Sequence, residues 1–406
     1  MNSNTHVAII GAGIGGLTLA RALLLRGFAV TLFEQAGVLS EIGAGIVVSP
    51  NAVKVLRALE LEPQLLEHAF EPEAYTGWDW KSGRALFRTQ IRGMYHDMYG
   101  AGWYQIHRAD LHAMLAQGVP AQNVRLGAKC TGVESNAEGA LARFADGSSF
   151  KADVIVGADG IHSAVRRSLF GEDTPKFAGI MCWRGMVRTD ALPAGLFPKT
   201  SSNWHGPHGH VTHYYVRNGT LINFVAVRET ATSTAESWTA LSSREELLAA
   251  YEGWNPRLRL LLGASEHYYK WGLFDRDPFP RWSEGRITLL GDAAHPMLPF
   301  LGQGAAQAME DAYALARLLD GAGDVAAALR RYEAARIGRT ARIQLGARAR
   351  GQQMHLATPW QRFKRDLNYK LQGWLKPKLP ANQADWIFRY DVTTALLQPE
   401  EPSLPA

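Results

Sequence analysis

The sequence predicts an α/β fold in which a parallel, helix-covered sheet is interrupted by an antiparallel sheet and followed by a helical C-terminal region. Three observations predict it. The chain opens with a strand–glycine turn–helix–strand unit between His6 and Gln35. Between residues 176 and 275 it switches to short runs rich in β-branched and aromatic residues, among them IMCWRGMV, HVTHYYV and TLINFVAVRE. From Leu329 a long basic helical pattern takes over, LRRYEAARIGRTARIQLGARARGQQ.

The first unit is the most informative. Val7 to Ile10 is a continuous apolar run, the mark of a parallel strand buried on both faces. Gly11, Gly13 and Gly16 form G-x-G-x-x-G, Leu17, Ala20, Leu23 and Leu24 recur at helical spacing, and Gly27 ends the helix. A second strand, Phe28 to Phe33, leads to Glu34, an acid 18 residues after Gly16. Strand, glycines, helix, strand and acid in this order describe a Rossmann-like dinucleotide site. There the pyrophosphate meets the helix N-terminus and the acid reaches a ribose hydroxyl. A glutamate at this position repels a 2′-phosphate, so NAD or FAD fits and NADP does not.

Composition limits the rest. The 406 residues, 47% apolar and 20% charged, suit a soluble globular protein of two or three domains. A net charge of +5 suits an anionic ligand but falls short of a nucleic-acid signature. Cys130 and Cys182 are the only two cysteines, too few for a zinc site or a disulfide framework; no metal is expected. No signal peptide and no run near the length of a membrane span is visible, so a cytoplasmic protein is expected.

Three more stretches separate FAD from NAD. In DVIVGADGIHSAVRRSLFG a buried-type strand meets Gly157-Ala158-Asp159-Gly160 and then a basic helix. In RITLLGDAAHPMLPFLGQG a strand leads to Gly291-Asp292, and a helix follows from about Gly304. YQIHRADLHAML places Arg108 ahead of a helix expected to be capped by Asp110. Together with the first unit, these stretches resemble the group A flavoprotein monooxygenases, the aromatic hydroxylases that include salicylate hydroxylase and 3-hydroxybenzoate 6-hydroxylase. The resemblance covers most of residues 5–345.

It implies FAD at the first glycine turn, Asp292 on the ribityl chain, Arg108 near the diphosphate–ribityl region, and Asp159 and Gly160 serving both FAD and the nicotinamide donor, NADH or NADPH. Ile14, Gly15, Gln35, Gly45, Val47 and Thr131 join them as implied cofactor contacts. The flavin's pyrimidine edge is expected against the N–H groups of Leu301, Gly302, Gln303 and Gly304. Pro296 and Pro299 stiffen that loop, and the helix dipole there favours the reduced, anionic ring. Glu310 and Asp311, further along the helix, read as solvated or first-turn acids. No second dinucleotide motif exists: EIGAGIVV has Gly43 and Gly45 but no third glycine. Trp78 and Trp80 in GWDWKSG share the G-W-x-W opening of flavin-dependent halogenases. Lys81-Ser82-Gly83 replaces the Ile-Pro of those enzymes with a turn, so the stretch reads as a strand entering a hairpin.

The implied domain pattern is FAD-binding segments at 1–71, 101–175 and 276–345, substrate-domain segments at 72–100 and 176–275, and a C-terminal helical region and tail at 346–406. Asn218-Gly219 signals a hairpin within the inserted sheet. On GHVTHYYV, alternation puts His210, Thr212 and Tyr214 on one face and Val211, His213 and Tyr215 on the other. The resemblance favours His210 and Tyr214, with Pro299, as the groups at the reacting ring, and leaves His213 and Tyr215 as the alternative. The implied activity is NAD(P)H-dependent hydroxylation of a phenol or a hydroxybenzoate such as salicylate by O₂, through a flavin C4a-hydroperoxide. A flavin oxidase or reductase without oxygen insertion, or a non-catalytic FAD-binding ligand sensor, is the alternative. Partners reduce to a small aromatic acid or phenol and O₂, with no nucleic acid and no membrane span; monomer or homodimer stays open. The basic C-terminal helices read as solvated faces packed on the FAD domain, and Trp386, Ile387 and Phe388 as a docking tail.

Overall fold

The computed structural model describes residues 5–39, 44–230, 240–375 and 384–395; Gly43, Lys376, Lys378 and the terminal QPEEPSLPA lie outside them. Among the described residues a six-stranded sheet runs in the order Ser283–Glu284, Ile287–Leu289, Val154–Gly157, His6–Ile10, Ala29–Phe33, Val124–Arg125. All neighbours are parallel except the Ser283–Glu284 hairpin. Val7, Ile9, Ile155 and Ile287 are fully buried, as strands covered on both faces must be. Helix Ile14–Leu24 follows the first strand, and helix Gly304–Leu319 lies against it. Gly15 permits that approach: a Cβ there would sit 2.5 Å from the Leu290 side chain and 3.2 Å from that of Ala308.

The inserted sheet has seven strands among the described residues, in the order Tyr269–Asp275, Lys176–Arg188, Leu221–Glu229, Gly209–Val216, Ser201–Gly206, Ala74–Asp79, Ala85–Gln90. It is antiparallel except where Ala74–Asp79, arriving from an earlier part of the chain, runs parallel to Ser201–Gly206. Its hairpin at Arg217–Gly219 has three consecutive positive φ angles, 49°, 54° and 89°. Asn218 and Gly219 adopt them readily; Arg217 is held there by a bidentate pair with Asp110 at 2.8 and 2.9 Å. One face of the sheet packs Trp204, Val211 and Phe224 under helices Arg244–Ala250 and Pro256–Leu262. The other packs Cys182, Val227 and Trp271 against Leu298 and Ala347.

Two expectations fail locally. Helix Arg108–Gln117 is capped by His107, whose Nδ1 accepts the Ala109 N–H at 3.3 Å. Asp110 sits within the first turn, where the helix dipole also favours an acid, and pairs with Arg217 instead. The basic C-terminal helices are not simply solvated: Arg336 and Arg350 of helix Val325–Met354 are buried. Helix Pro359–Leu375 instead exposes Trp360, Phe363, Leu367, Leu371 and Trp374. Ile387 and Phe388 are buried in one cluster with Tyr95, Tyr99 and Ile343. No helix among the described residues is long and apolar enough to cross a membrane.

Candidate active site

The glycine turn separates into packing and open positions. A Cβ on Gly16 would lie 1.9 Å from the Gly11 carbonyl oxygen, and one on Gly11 (φ 104°) 2.4 Å from that of Ala158. Both are backbone contacts and cannot yield. A Cβ on Gly13 would meet no atom within 4 Å, so this backbone faces open space at the start of helix Ile14–Leu24. Ile14 itself is buried; its carbonyl accepts the Thr18 hydroxyl at 2.6 Å. Glu34 accepts the Ala12 N–H at 2.9 Å and the Ala36 N–H at 2.8 Å, which fixes its carboxylate at the strand end beside the exposed Gln35. His112 braces the same turn by a 2.8 Å bond to the Ala12 carbonyl, a support that no motif announced.

Thr131, on strand Cys130–Ser135, turns its hydroxyl to the Arg143 carbonyl at 3.1 Å. Asp159 accepts from Ser163 Oγ (2.5 Å) and from the N–H groups of Ala164 and Val165 (2.8 and 3.2 Å), so its carboxylate anchors the start of helix Ala164–Phe170. Gly160 (φ 78°) is open beside it. Arg108 heads its helix; its N–H donates to the Ala44 carbonyl at 2.7 Å, which ties the helix start to strand Gly45–Val48.

Asp292 keeps solvent-reachable surface although Gly291, Ala293, Ala294 and His295 around it are buried. Though solvent reaches part of the residue, its carboxyl lies deep among these buried neighbours, and that burial raises it above the ordinary value, with His295 and Arg108 opposing the rise and Asp311 adding to it. Past it, Pro299–Leu301 forms a short turn with Pro299 exposed, Gly302 takes the left-handed conformation (φ 63°) beside Val47, and Gly304 faces open space. Among the expected backbone donors, the Gly302 N–H is occupied, bonding the Pro299 carbonyl at 3.0 Å. The Gln303 side chain is buried, donating to Ser49 Oγ (2.9 Å) and accepting from Asn51 (3.1 Å).

Glu310 and Asp311 overturn their reading as solvated acids, for both are fully buried. Arg336 donates to Glu310 (2.6 Å), Asp311 (2.7 Å) and Gln307 (2.8 Å); Arg339 donates to Glu310 (2.8 Å) and His295 bonds Asp311 (2.5 Å). Burial opposes their ionisation, but Arg336 with Arg339 at Glu310, and His295 with Arg336 at Asp311, hold both carboxyls below the ordinary value. Asp311 also accepts the Gly291 N–H at 3.1 Å, so this network fixes the loop that carries Asp292. Its partners come from a helix two dozen residues downstream, which no local pattern reveals.

The sheet face above this loop carries His210, Thr212 and Tyr214, with Arg184 and Val225 in the same row as Thr212. Tyr214 and Asn223 abut Gly45, whose N–H donates to Asn223 Oδ1 at 2.9 Å. His210 meets Phe300, ring centroids 5.3 Å apart. His213 and Tyr215 occupy the opposite face: His213 lies against Phe197 (4.4 Å), and Tyr215 donates to the Phe197 carbonyl (3.0 Å). Burial, with His355 and Arg350 nearby, keeps the His210 imidazole neutral well below its ordinary titration range. Burial likewise keeps the Tyr214 hydroxyl protonated. Arg184, 5% exposed, lies over the rings of Tyr269 (5.3 Å) and Trp271 (5.1 Å).

The residues fit FAD. Open backbone at Gly13 suits a pyrophosphate on a helix N-terminus, Asp292 suits a ribityl hydroxyl, and the open backbone at Gly304, just past the left-handed Gly302, suits the edge of a flat ring. Comparison with known proteins agrees. The family model described as FAD binding domain matches residues 4–344. A 3-amino-4-hydroxybenzoate 2-monooxygenase from Streptomyces platensis is 44% identical over 365 residues, covering 89% of this chain and 92% of its own. The 3-hydroxybenzoate 6-hydroxylase of Klebsiella oxytoca is 35% identical over 354 residues, 86% of this chain and 88% of its own. A salicylate hydroxylase substrate complex superposes with a TM-score of 0.83 at 30% identity, covering 100% of both chains. A glycine turn open at Gly13, an open helix start at Gly304 and a polar sheet face thus coincide with that likeness over nearly the whole length: the chain belongs to the FAD-dependent aromatic monooxygenases.

Proposed function

We propose that the protein uses NADH or NADPH and O₂ to hydroxylate a hydroxybenzoate-type ring, salicylate-like in carrying both a hydroxyl and a carboxylate. Bound FAD supplies the hydride acceptance and oxygen activation; the chain supplies position, charge and dryness. The observation that carries the reading is the row of polar side chains on one sheet face directly above the Pro299–Gly304 turn. His210 and Tyr214 stand four residues apart on one strand, about 13 Å along it, with Thr212 midway, so both reach a ring held between them. Neutral His210 accepts the phenol proton, which makes the ring electron-rich; protonated Tyr214 donates to and orients the substrate oxygen. Arg184 meets the carboxylate. Val47, Leu298, Phe300 and Leu301 form apolar walls that keep water from the reacting ring.

The roles of Gly11, Gly13, Ile14, Gly15, Gly16, Glu34, Gln35, Gly45, Val47, Arg108, Thr131, Asp159, Gly160, Asp292, Pro299, Gly302, Gln303 and Gly304 in holding FAD belong to the same proposal. So does a substrate unit built from 72–100 and 176–275. The two buried cysteines suit a cytoplasmic protein. A homodimer is supported by the exposed stripe of helix Pro359–Leu375. Its positions 360, 363, 367, 371 and 374 are symmetric about Leu367, so a two-fold axis there sets Trp360 on the partner's Trp374.

The test is a panel of salicylate, 3-hydroxybenzoate and 3-amino-4-hydroxybenzoate given to the FAD-loaded enzyme. NADH or NADPH consumed should match product one oxygen heavier, or hydroxylated with loss of CO₂. Consumption matched by peroxide for every compound would leave an oxidase, and no response would leave a ligand sensor.

A further inference from the structure

His210 does not end in a dry pocket. Its Nδ1 lies 2.7 Å from Nε2 of His355, the residue that closes helix Val325–Met354. The two rings stack at 5.0 Å and 30°. His355 Nδ1 in turn lies 3.3 Å from Glu229 Oε1, at the end of strand Leu221–Glu229, and Glu229 Oε2 lies 2.9 Å from His208 Nδ1. Side-chain exposure rises from 2% at His355 to 43% at Glu229 and 55% at His208. His355 and Glu229 both line a cleft of about 750 Å³ that opens beside Phe300 and Arg276. The chain of hydrogen-bonding groups thus runs from the buried sheet face to open water.

We propose that His355 and Glu229 form a proton outlet for the phenol at His210, and act as positioning residues for that base. The inference rests on the substrate site proposed above. The substrate O–H breaks as His210 Nε2–H forms, and His210 Nδ1–H breaks as His355 Nε2–H forms. His355 Nδ1–H then breaks as the Glu229 carboxylate gains the proton, which leaves to solvent. No charge stays on either imidazole, which matters because burial disfavours a cation at His210. The charged and titratable neighbours make the same demand. Arg350 of the adjoining helix and His205 of the next strand surround His210, and Arg228 and His208 flank His355. A proton resting on His210 would meet like charge; one passed to Glu229 would not.

The experiment compares the FAD-loaded wild type with His355→Gly, His355→Phe, Glu229→Gln and Glu229→Asp, using whichever hydroxybenzoate of the panel the wild type hydroxylates. We expect kcat to fall tenfold or more in His355→Gly, His355→Phe and Glu229→Gln with KM nearly unchanged. Glu229→Asp should retain most of the rate. Added imidazole should restore His355→Gly, whose cavity admits it, and leave His355→Phe slow. Loss through KM, or loss that neither Asp nor imidazole relieves, would mark a packing role and overturn the outlet, as would variants at wild-type rate. If the wild type hydroxylates none of the panel, the activity reading falls and takes the outlet with it; wild-type turnover alongside unaffected variants sinks the outlet alone.

Discussion

At the scale of single residues, neighbours assign different duties to side chains of the same type. Gly11, Gly13 and Gly16 are equal in the motif, yet only Gly13 faces space. Gly13→Ala should leave the apoprotein's Tm nearly unchanged, because its φ of −71° suits alanine and nothing is struck. FAD affinity should fall about tenfold or more as the methyl meets the pyrophosphate. Gly16→Ala should lower both, since its Cβ strikes a backbone oxygen. Thermal melts with and without FAD, and flavin titration, separate the two; equal behaviour of both variants would contradict the assignment. Arg184→Met should raise KM for hydroxybenzoates about 10- to 100-fold, the worth of a charged hydrogen bond of about 1.5–3 kcal/mol. It should leave a phenol lacking the carboxylate unaffected; steady-state kinetics on the pair of compounds decides it. Of these residues the glycines were legible, because their spacing is local. Arg184 was legible as a basic residue suited to a substrate carboxylate, but its orientation was not, because that depends on pairing with Val225 and Tyr269.

At the scale of elements, helix Gly304–Leu319 is fixed from below by charge. Arg336→Met leaves Glu310 and Asp311 buried with too little compensation and should cost about 3–5 kcal/mol. Urea unfolding measures this, and a loss under about 1 kcal/mol would show that Arg339 and His295 suffice. Flavin retention should fall with it, since Asp311 also holds the Gly291 N–H. The 304–319 helix itself was readable from its periodicity. The burial of its acids was not, because a charged residue on a helix reads as solvated until a partner from another helix arrives. The reverse error occurred at Pro359–Leu375, whose basic residues suggested a solvated face while its apolar stripe stands exposed. Leu367→Glu, at the proposed two-fold axis, should convert a dimer to a monomer in sedimentation equilibrium with little change in kcat; a wild-type monomer would remove the pairing.

At the scale of the whole molecule, buried histidines set an acid limit. His205, His210 and His213 are held neutral by burial, His213 down to about 3. Below pH 6.5 the unfolded chain binds protons at these sites while the folded chain does not, so stability falls as pH falls. At pH 5.5 His213 alone accounts for about 1.4 kcal/mol of this, a factor of ten in its unfolded-state protonation. Melting temperature should therefore drop between pH 7.5 and 5.5, and His213→Phe should flatten that slope; an unchanged slope would show that His213 already carries its proton in the fold.

The sequence by itself determined the α/β class, the glycine cradle with Glu34, the hairpin at Asn218-Gly219 and the kinship with aromatic hydroxylases. Each of these is written in neighbouring residues, through strand and helix periodicity, backbone freedom at glycine and the short reach from strand end to helix start. Only the tertiary structure decided which sheet face meets the Pro299–Gly304 turn, that Arg336 neutralises Glu310 and Asp311, and that His210 reaches water through His355 and Glu229. Those contacts join residues 25 to 145 positions apart. Burial and charge are properties of the assembled neighbourhood, and no local pattern encodes them.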